Sequence, residues 1–284
     1  MPFKVKSPTE LPKRGWKILL HGQTGAGKTY LAATSPNCLL VNVEGKLGTL
    51  KDFPNPTLAI GESKDPIEII EEVLPELKSG KYATLAIDSF SSLGEHIELS
   101  LIDERQEDRE DKAKKYGGST FGDSDTMEMK DWGKFLTRLV RLLKQLPELG
   151  VNVICTCHSM SRVPARNKRE LYETLREVKD LGARSDIEEQ HKEWQPKIRG
   201  QLGEHLGAYF DVIGFMEPIP SRKGTVHRVW FDANEYAQTK NCQGKLPNYL
   251  DDPTMENILA KLNGEVSTDE LKLESKARVV KGGK

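Results

Sequence analysis

Gly22-Gln23-Thr24-Gly25-Ala26-Gly27-Lys28-Thr29 matches the pattern G-x-x-x-x-G-K-[ST] in full. Its glycines let the backbone wrap so that consecutive N–H groups point at a phosphate chain. A helix starting at Lys28 adds its partial positive charge. In such a turn Lys28 reaches the β- and γ-phosphates, and the Thr29 hydroxyl coordinates Mg²⁺. Residues 82–88 supply the partner: an apolar strand ending in Asp88 sets a carboxylate at the sheet edge beside the glycine turn. There it holds the metal through water. Capping of the next helix is the alternative role for Asp88.

The elements that must position these groups alternate. Residues 16–21 read as a buried strand running into the glycine turn, with a helix from Lys28 to about Ala33. A second strand spans residues 38–43. Asp65-Pro66-Ile67-Glu68 reads as a helix start, with Asp as N-cap and Pro at the first helical position. The third strand covers residues 82–88 and the fourth residues 150–157. Between them Trp132, Phe135, Leu136, Leu139, Val140, Leu143 and Leu146 recur at helical spacing. Strands alternating with helices imply an α/β fold, a mainly parallel sheet with helices on both faces. Residues 210–216 and 226–231 flank a turn and read as a C-terminal antiparallel hairpin at the sheet edge. A helix over 254–262 closes the fold, and a polar, disordered tail is expected over 263–284.

Composition narrows the function classes. Lys and Arg number 42 against 43 Asp and Glu, so the net charge of -1 excludes a uniformly basic coat for duplex nucleic acid. Any anion-binding surface must be local. The apolar runs, such as residues 151–155, fall far short of the roughly 20 residues that span a bilayer. Residues 1–6 do not resemble a signal peptide, and a reducing cytoplasm is the expected compartment. The spacing of Cys38, Cys155, Cys157 and Cys242 makes neither a disulfide framework nor a zinc site. Cys155 and Cys157, on one buried strand, are expected to pack the core.

Asp88 is followed by Ser89 rather than Glu, so a catalytic base must come from elsewhere. On these residues the chain resembles the RecA-like P-loop ATPases, in which the third strand ends in apolar-Asp-Ser and a glutamate follows the second strand. Residues 41–45 fit that placement. The resemblance therefore implies that Glu44 polarises the attacking water; an ordinary loop carboxylate is the alternative. It further implies that the fourth strand lies between the first and third. His158, in Thr156-Cys157-His158-Ser159, would then face the γ-phosphate and pass its state to the following loop. An apolar strand ending in Thr-x-His is similar to a phage subgroup of nucleotide-binding and single-strand annealing ATPases. Lys197-Ile198-Arg199-Gly200 and Tyr209-Phe210-Asp211 resemble that subgroup's last core elements.

The resemblance covers about residues 15–262 and implies one ATPase domain over 1–262, with ATP and Mg²⁺ as cofactors. It implies cofactor contacts from Gly22 through Thr29 and Tyr30, and a catalytic role for Lys28. Lys240 matches the position that lends a cation to a neighbour's nucleotide, or is a surface lysine. Single-stranded DNA is the implied partner, held by a ring or filament of identical subunits, with a single-strand-binding protein as a further partner. Two long insertions depart from the pattern, at about 102–130 and 159–195. In the second, Arg162, Arg166, Lys168 and Arg169 form an acid-free basic run able to neutralise phosphates. In the first, Tyr116 and Phe121 stand in a glycine-rich setting and can stack bases. The competing readings are a solvated basic turn and loop-packing aromatics. A small-molecule kinase with an arginine lid, or a nucleotide-regulated loader or scaffold, would also own the glycine turn.

Overall fold

Ile18-Leu19-Leu20, Leu39-Leu40-Val41 and Leu85-Ala86-Ile87 are apolar on consecutive residues, and every one of these side chains is buried. Strands of this kind must be covered on both faces. The structure, a computed structural model, describes residues 14–46, 48–51, 57–59, 66–116, 126–178, 180–198, 202–222, 224–232 and 236–265. In chain order its elements are β1 (Lys17–Gly22), α1 (Lys28–Ala33), β2 (Cys38–Asn42), β3 (Thr57–Ala59), α2 (Pro66–Lys78), β4 (Thr84–Asp88), α3 (Phe90–Tyr116) and α4 (Met129–Gln145). Then come β5 (Asn152–Arg162), α5 (Ala165–Glu177), α6 (Leu181–Gln190), β6 (Glu193–Pro196), α7 (Leu202–His205), β7 (Val212–Ser221), β8 (Gly224–Trp230), β9 (Lys240–Asn241), β10 (Tyr249–Asp251) and α8 (Met255–Leu262).

The strands join in one sheet of order β10-β8-β7-β1-β5-β4-β2-β3. From β7 to β3 every neighbouring pair is parallel. The fourth core strand, β5, lies between β1 and β4, the order that the RecA-like resemblance implies. Consecutive residues alternate between two cores. Leu19, Val41, Ile87 and Val153 pack with residues of α2, α3 and α4 on one face. Leu20, Leu40, Ala86 and Ile154 pack with α1 and α8 on the other. Cys155 and Cys157 are fully buried among the first set.

Three features differ from the sequence reading. The β7–β8 hairpin is antiparallel as expected, but β10 pairs outside β8 and is the edge strand. Its three residues carry too short a pattern to be read. Within the first insertion, α3 runs on as a helix to Tyr116, supported by pairs such as Lys112–Asp108 and Lys114–Glu110 one turn apart. In the second, β5 does not stop at Cys157. Ser159–Arg162 continue it and pair antiparallel with β6, forming a ribbon that carries α5 and α6. Asp65, the expected N-cap of α2, and residues 266–284 of the expected tail lie outside the described residues.

Candidate active site

The turn between β1 and α1 is shaped by two close approaches. A Cβ on Gly22 would sit 2.3 Å from the Met216 carbonyl oxygen on the neighbouring strand. Gly27, at φ 91°, closes the turn in the left-handed region that side chains avoid, with the His227 ring 3.0 Å from where its Cβ would be. Lys28 folds back over the turn: its ammonium donates to the carbonyls of Gly22 at 2.9 Å and Gln23 at 2.8 Å. Burial pulls its pKa below the usual lysine value. A phosphate chain offers that cation better acceptors than two neutral carbonyls. Tyr30, next along α1, is exposed.

Asp88 closes β4 at 3% exposure. One carboxylate oxygen accepts from the Thr29 hydroxyl at 2.8 Å, and the other accepts from the Thr156 hydroxyl. Burial raises its pKa, opposed by those two hydroxyls. The Thr29 hydroxyl and Asp88 carboxylate are hard oxygen donors already in contact, a set that fits Mg²⁺. Bound there, the metal would neutralise phosphate charge.

Glu44 follows β2, and its backbone N–H is tied to the Asp88 carbonyl at 3.2 Å. One carboxylate oxygen accepts from His158 Nε2 at 2.8 Å, and the other lies 3.4 Å from the Lys46 ammonium. The His158 hydrogen bond is the largest cause that holds the Glu44 pKa down at about 2, against the opposing effect of burial and with help from the Ser89 hydroxyl. His158 sits opposite Gly22 in the β1–β5 register. Its N–H donates to Ser91 Oγ at 2.9 Å, and its carbonyl accepts from the Lys197 N–H at 2.7 Å. Lys28, Thr29, Glu44, Asp88 and His158 thus converge at the C-terminal edge of the parallel strands. Glu95 of α3 lies outside this group and pairs with Lys197 at 3.0 Å.

Two histidines complete this constellation. His21 is fully buried. Its Nε2 faces the Gln238 carbonyl at 2.7 Å and must donate there, so Nδ1 accepts from the Ser159 hydroxyl at 2.8 Å. Burial is the main cause that lowers its pKa to about 4, with the Lys28 charge acting the same way. A histidine ending an otherwise apolar strand, one residue before the glycine turn, was the available signal. His227 comes from β8, where its Nδ1 donates to the Ala26 carbonyl at 3.0 Å. No local pattern could link residues 201 positions apart.

The remaining residues do not join the cluster. The Lys240 ammonium donates to the Gly207 and Phe210 carbonyls of its own chain, at 2.5 and 2.7 Å. Arg162 belongs to the β5–β6 ribbon, where its guanidinium donates to Gln195. Lys168 and Arg169 are exposed on α5, and Arg169 pairs with Glu173 at 3.0 Å; Arg166 lies on the same helix, its side chain outside the description. Tyr116 is exposed at the far end of α3. At about 1.5 Å per residue it stands ~39 Å along the helix axis from Phe90. Phe121 lies outside the described residues.

No curated protein matches the sequence. Among solved structures, a KaiC-like protein from the hyperthermophilic archaeon Pyrococcus horikoshii aligns at 13% identity and TM-score 0.38, over 76% of this chain and 78% of that one. The family model for the AAA domain matches residues 14–242, which run from the start of β1 through β9 and enclose every member of the cluster. The chain belongs to the AAA-domain family and is a P-loop ATPase with a RecA-like fold.

Proposed function

We propose that the protein binds ATP with Mg²⁺, hydrolyses it, and uses the cycle to act on single-stranded DNA in phage-type recombination, annealing or repair. Lys28 is assigned to the β- and γ-phosphates, with the backbone of residues 22–27 around them, and Tyr30 to the nucleotide's outer side. Thr29 and Asp88 are assigned to the metal. Glu44 orients and deprotonates the attacking water, the role its carboxylate can fill once His158 turns to the γ-phosphate. The observation that carries this reading is the course of β5. The strand holding Thr156 against Asp88 and His158 against Glu44 continues without a break into the ribbon that supports the basic start of α5. A change at the γ-phosphate therefore has a stiff route to the second insertion.

Single-stranded DNA is the partner proposed on that ground, bound by the second insertion rather than by the average field of a chain of net charge -1. A homo-oligomer, ring or filament, would let neighbours share one strand, and a single-strand-binding protein is a further proposed partner. For Lys240 to reach a neighbour's nucleotide it must first give up its two carbonyl partners. No helix among the described residues is long and apolar enough to cross a membrane. The proposed compartment is the cytoplasm, that of the host if the protein is phage-encoded. The test is ATP turnover by the full chain with and without oligo-dT, with no phosphate acceptor present. Stimulation supports the reading. Steady hydrolysis indifferent to oligo-dT points to a nucleotide-regulated loader, and turnover that requires an acceptor points to a kinase.

A further inference from the structure

Helix α5 turns Leu171 and Leu175 inward, at 6% and 7% exposure. Residues four apart stack on one side of a helix, so Lys168, Tyr172 and Arg176 form a second stripe, and all three are exposed. Tyr172 keeps 64% of its surface in water. Among the described residues its ring meets no aromatic or cationic partner, and neither Lys168 nor Arg176 is paired with an acid. The adjacent Arg169 is different, because Glu173 compensates it. Glu170 lies on the flank and is exposed. The stripe therefore reads cation, aromatic, cation over about 12 Å of helix axis. Its helix begins at Ala165, after only two residues beyond the ribbon that extends the His158 strand, and the stripe begins at Lys168.

We propose that this face of α5 is a platform for single-stranded DNA, on which a base stacks against the Tyr172 ring while Lys168 and Arg176 take flanking phosphates. The inference rests on the single-strand reading above and moves its aromatic contact from Tyr116 to Tyr172. The complementarity is physical: unpaired bases present flat apolar faces that an exposed phenol ring can cover, and the backbone supplies anions for Lys168 and Arg176, which pair with no acid among the described residues. An acidic protein segment would satisfy the cations but leave the ring in water.

Binding of a labelled oligo-dT to the full chain, followed by anisotropy across a salt series, tests this. Tyr172→Ala should weaken binding about 5- to 150-fold, the scale of one lost base stack. Tyr172→Phe, which keeps the ring, should bind like the unaltered protein, and Tyr116→Ala should change nothing. Lys168→Gln together with Arg176→Gln should flatten the log–log salt slope by about 1.4, two single-strand phosphate contacts. Basal hydrolysis and the thermal midpoint should hold in all of them. If the unaltered protein binds oligo-dT and these variants bind it equally well, the platform is wrong while the single-strand reading stands. Equal losses for Tyr172→Ala and Tyr172→Phe would also overturn it. No salt-sensitive binding by the unaltered protein would overturn both.

Discussion

Replacing Glu44 by Gln keeps the shape of the side chain and removes its charge, which gives the variant two separable signatures. In hydrolysis, loss of a general base should cost on the order of 10²–10⁴-fold in turnover with ATP affinity retained. In stability, the structure sets the size. The carboxyl is held at about 2, against an ordinary glutamate value of about 4.5, chiefly by the His158 hydrogen bond. A folded-state pKa below the unfolded one means stability that is present above pH ~4.5 and is lost as pH falls toward 2. At ~1.36 kcal/mol per pKa unit, the contribution at pH 7 is about 3 kcal/mol and at pH 3 about 1.4 kcal/mol. Urea titrations of both proteins at pH 7 and pH 3 measure it: the gap between them should narrow by roughly half. A gap that is the same at both pH values, or wild-type turnover by Glu44→Gln, would refute the assignment of Glu44 as an ionised base held by His158.

The other expectations concern its neighbours. Lys28→Ala should abolish hydrolysis and weaken ATP binding in a nucleotide-binding titration, since the cation that folds over Gly22 and Gln23 is gone. His158→Ala should leave ATP affinity near wild type and erase the linkage between ATP and DNA, a coupling on the order of 1–3 kcal/mol, readable from DNA affinity with and without nucleotide. His21→Phe should lower stability by at most about 1–3 kcal/mol for each part-buried partner it strands, the Ser159 hydroxyl and the Gln238 carbonyl. His21 is also depressed, to about 4, so it contributes stability above pH ~6.5 that is lost as pH falls toward 4. His21→Phe should flatten that limb in urea titrations, in a window above the one that reports Glu44.

The parts legible in the sequence are those buried on both faces. Residues 17–22, 38–42, 84–88 and the start of β5 carry apolar runs that leave no other burial solution, and the glycine turn fixes where phosphate chemistry sits. The polar partners of that turn follow from strand order, because β5 lying between β1 and β4 sets Thr156 and His158 beside Asp88 and Glu44. What was not legible is small, polar or remote. β3, β6, β9 and β10 have two to four residues each, too few for a period. The distal part of α3 is held by charge pairs rather than an apolar stripe, and Ser159–Arg162 look like loop until β6 pairs with them. Lys240 and His227 depend on contacts with chain 30 and 201 residues away. Tyr172 stands out only once Leu171 and Leu175 are known to point inward.

In the proposed mechanism β5 carries the nucleotide state from the Glu44–His158 pair to the second insertion. The direct measurement is the affinity of the unaltered full chain for oligo-dT with a non-hydrolysable ATP analogue and with ADP, under one salt condition. A coupling on the order of 1–3 kcal/mol predicts affinities that differ about 5- to 150-fold between the two nucleotides. Equal affinities, with both nucleotides shown to be bound, would contradict it.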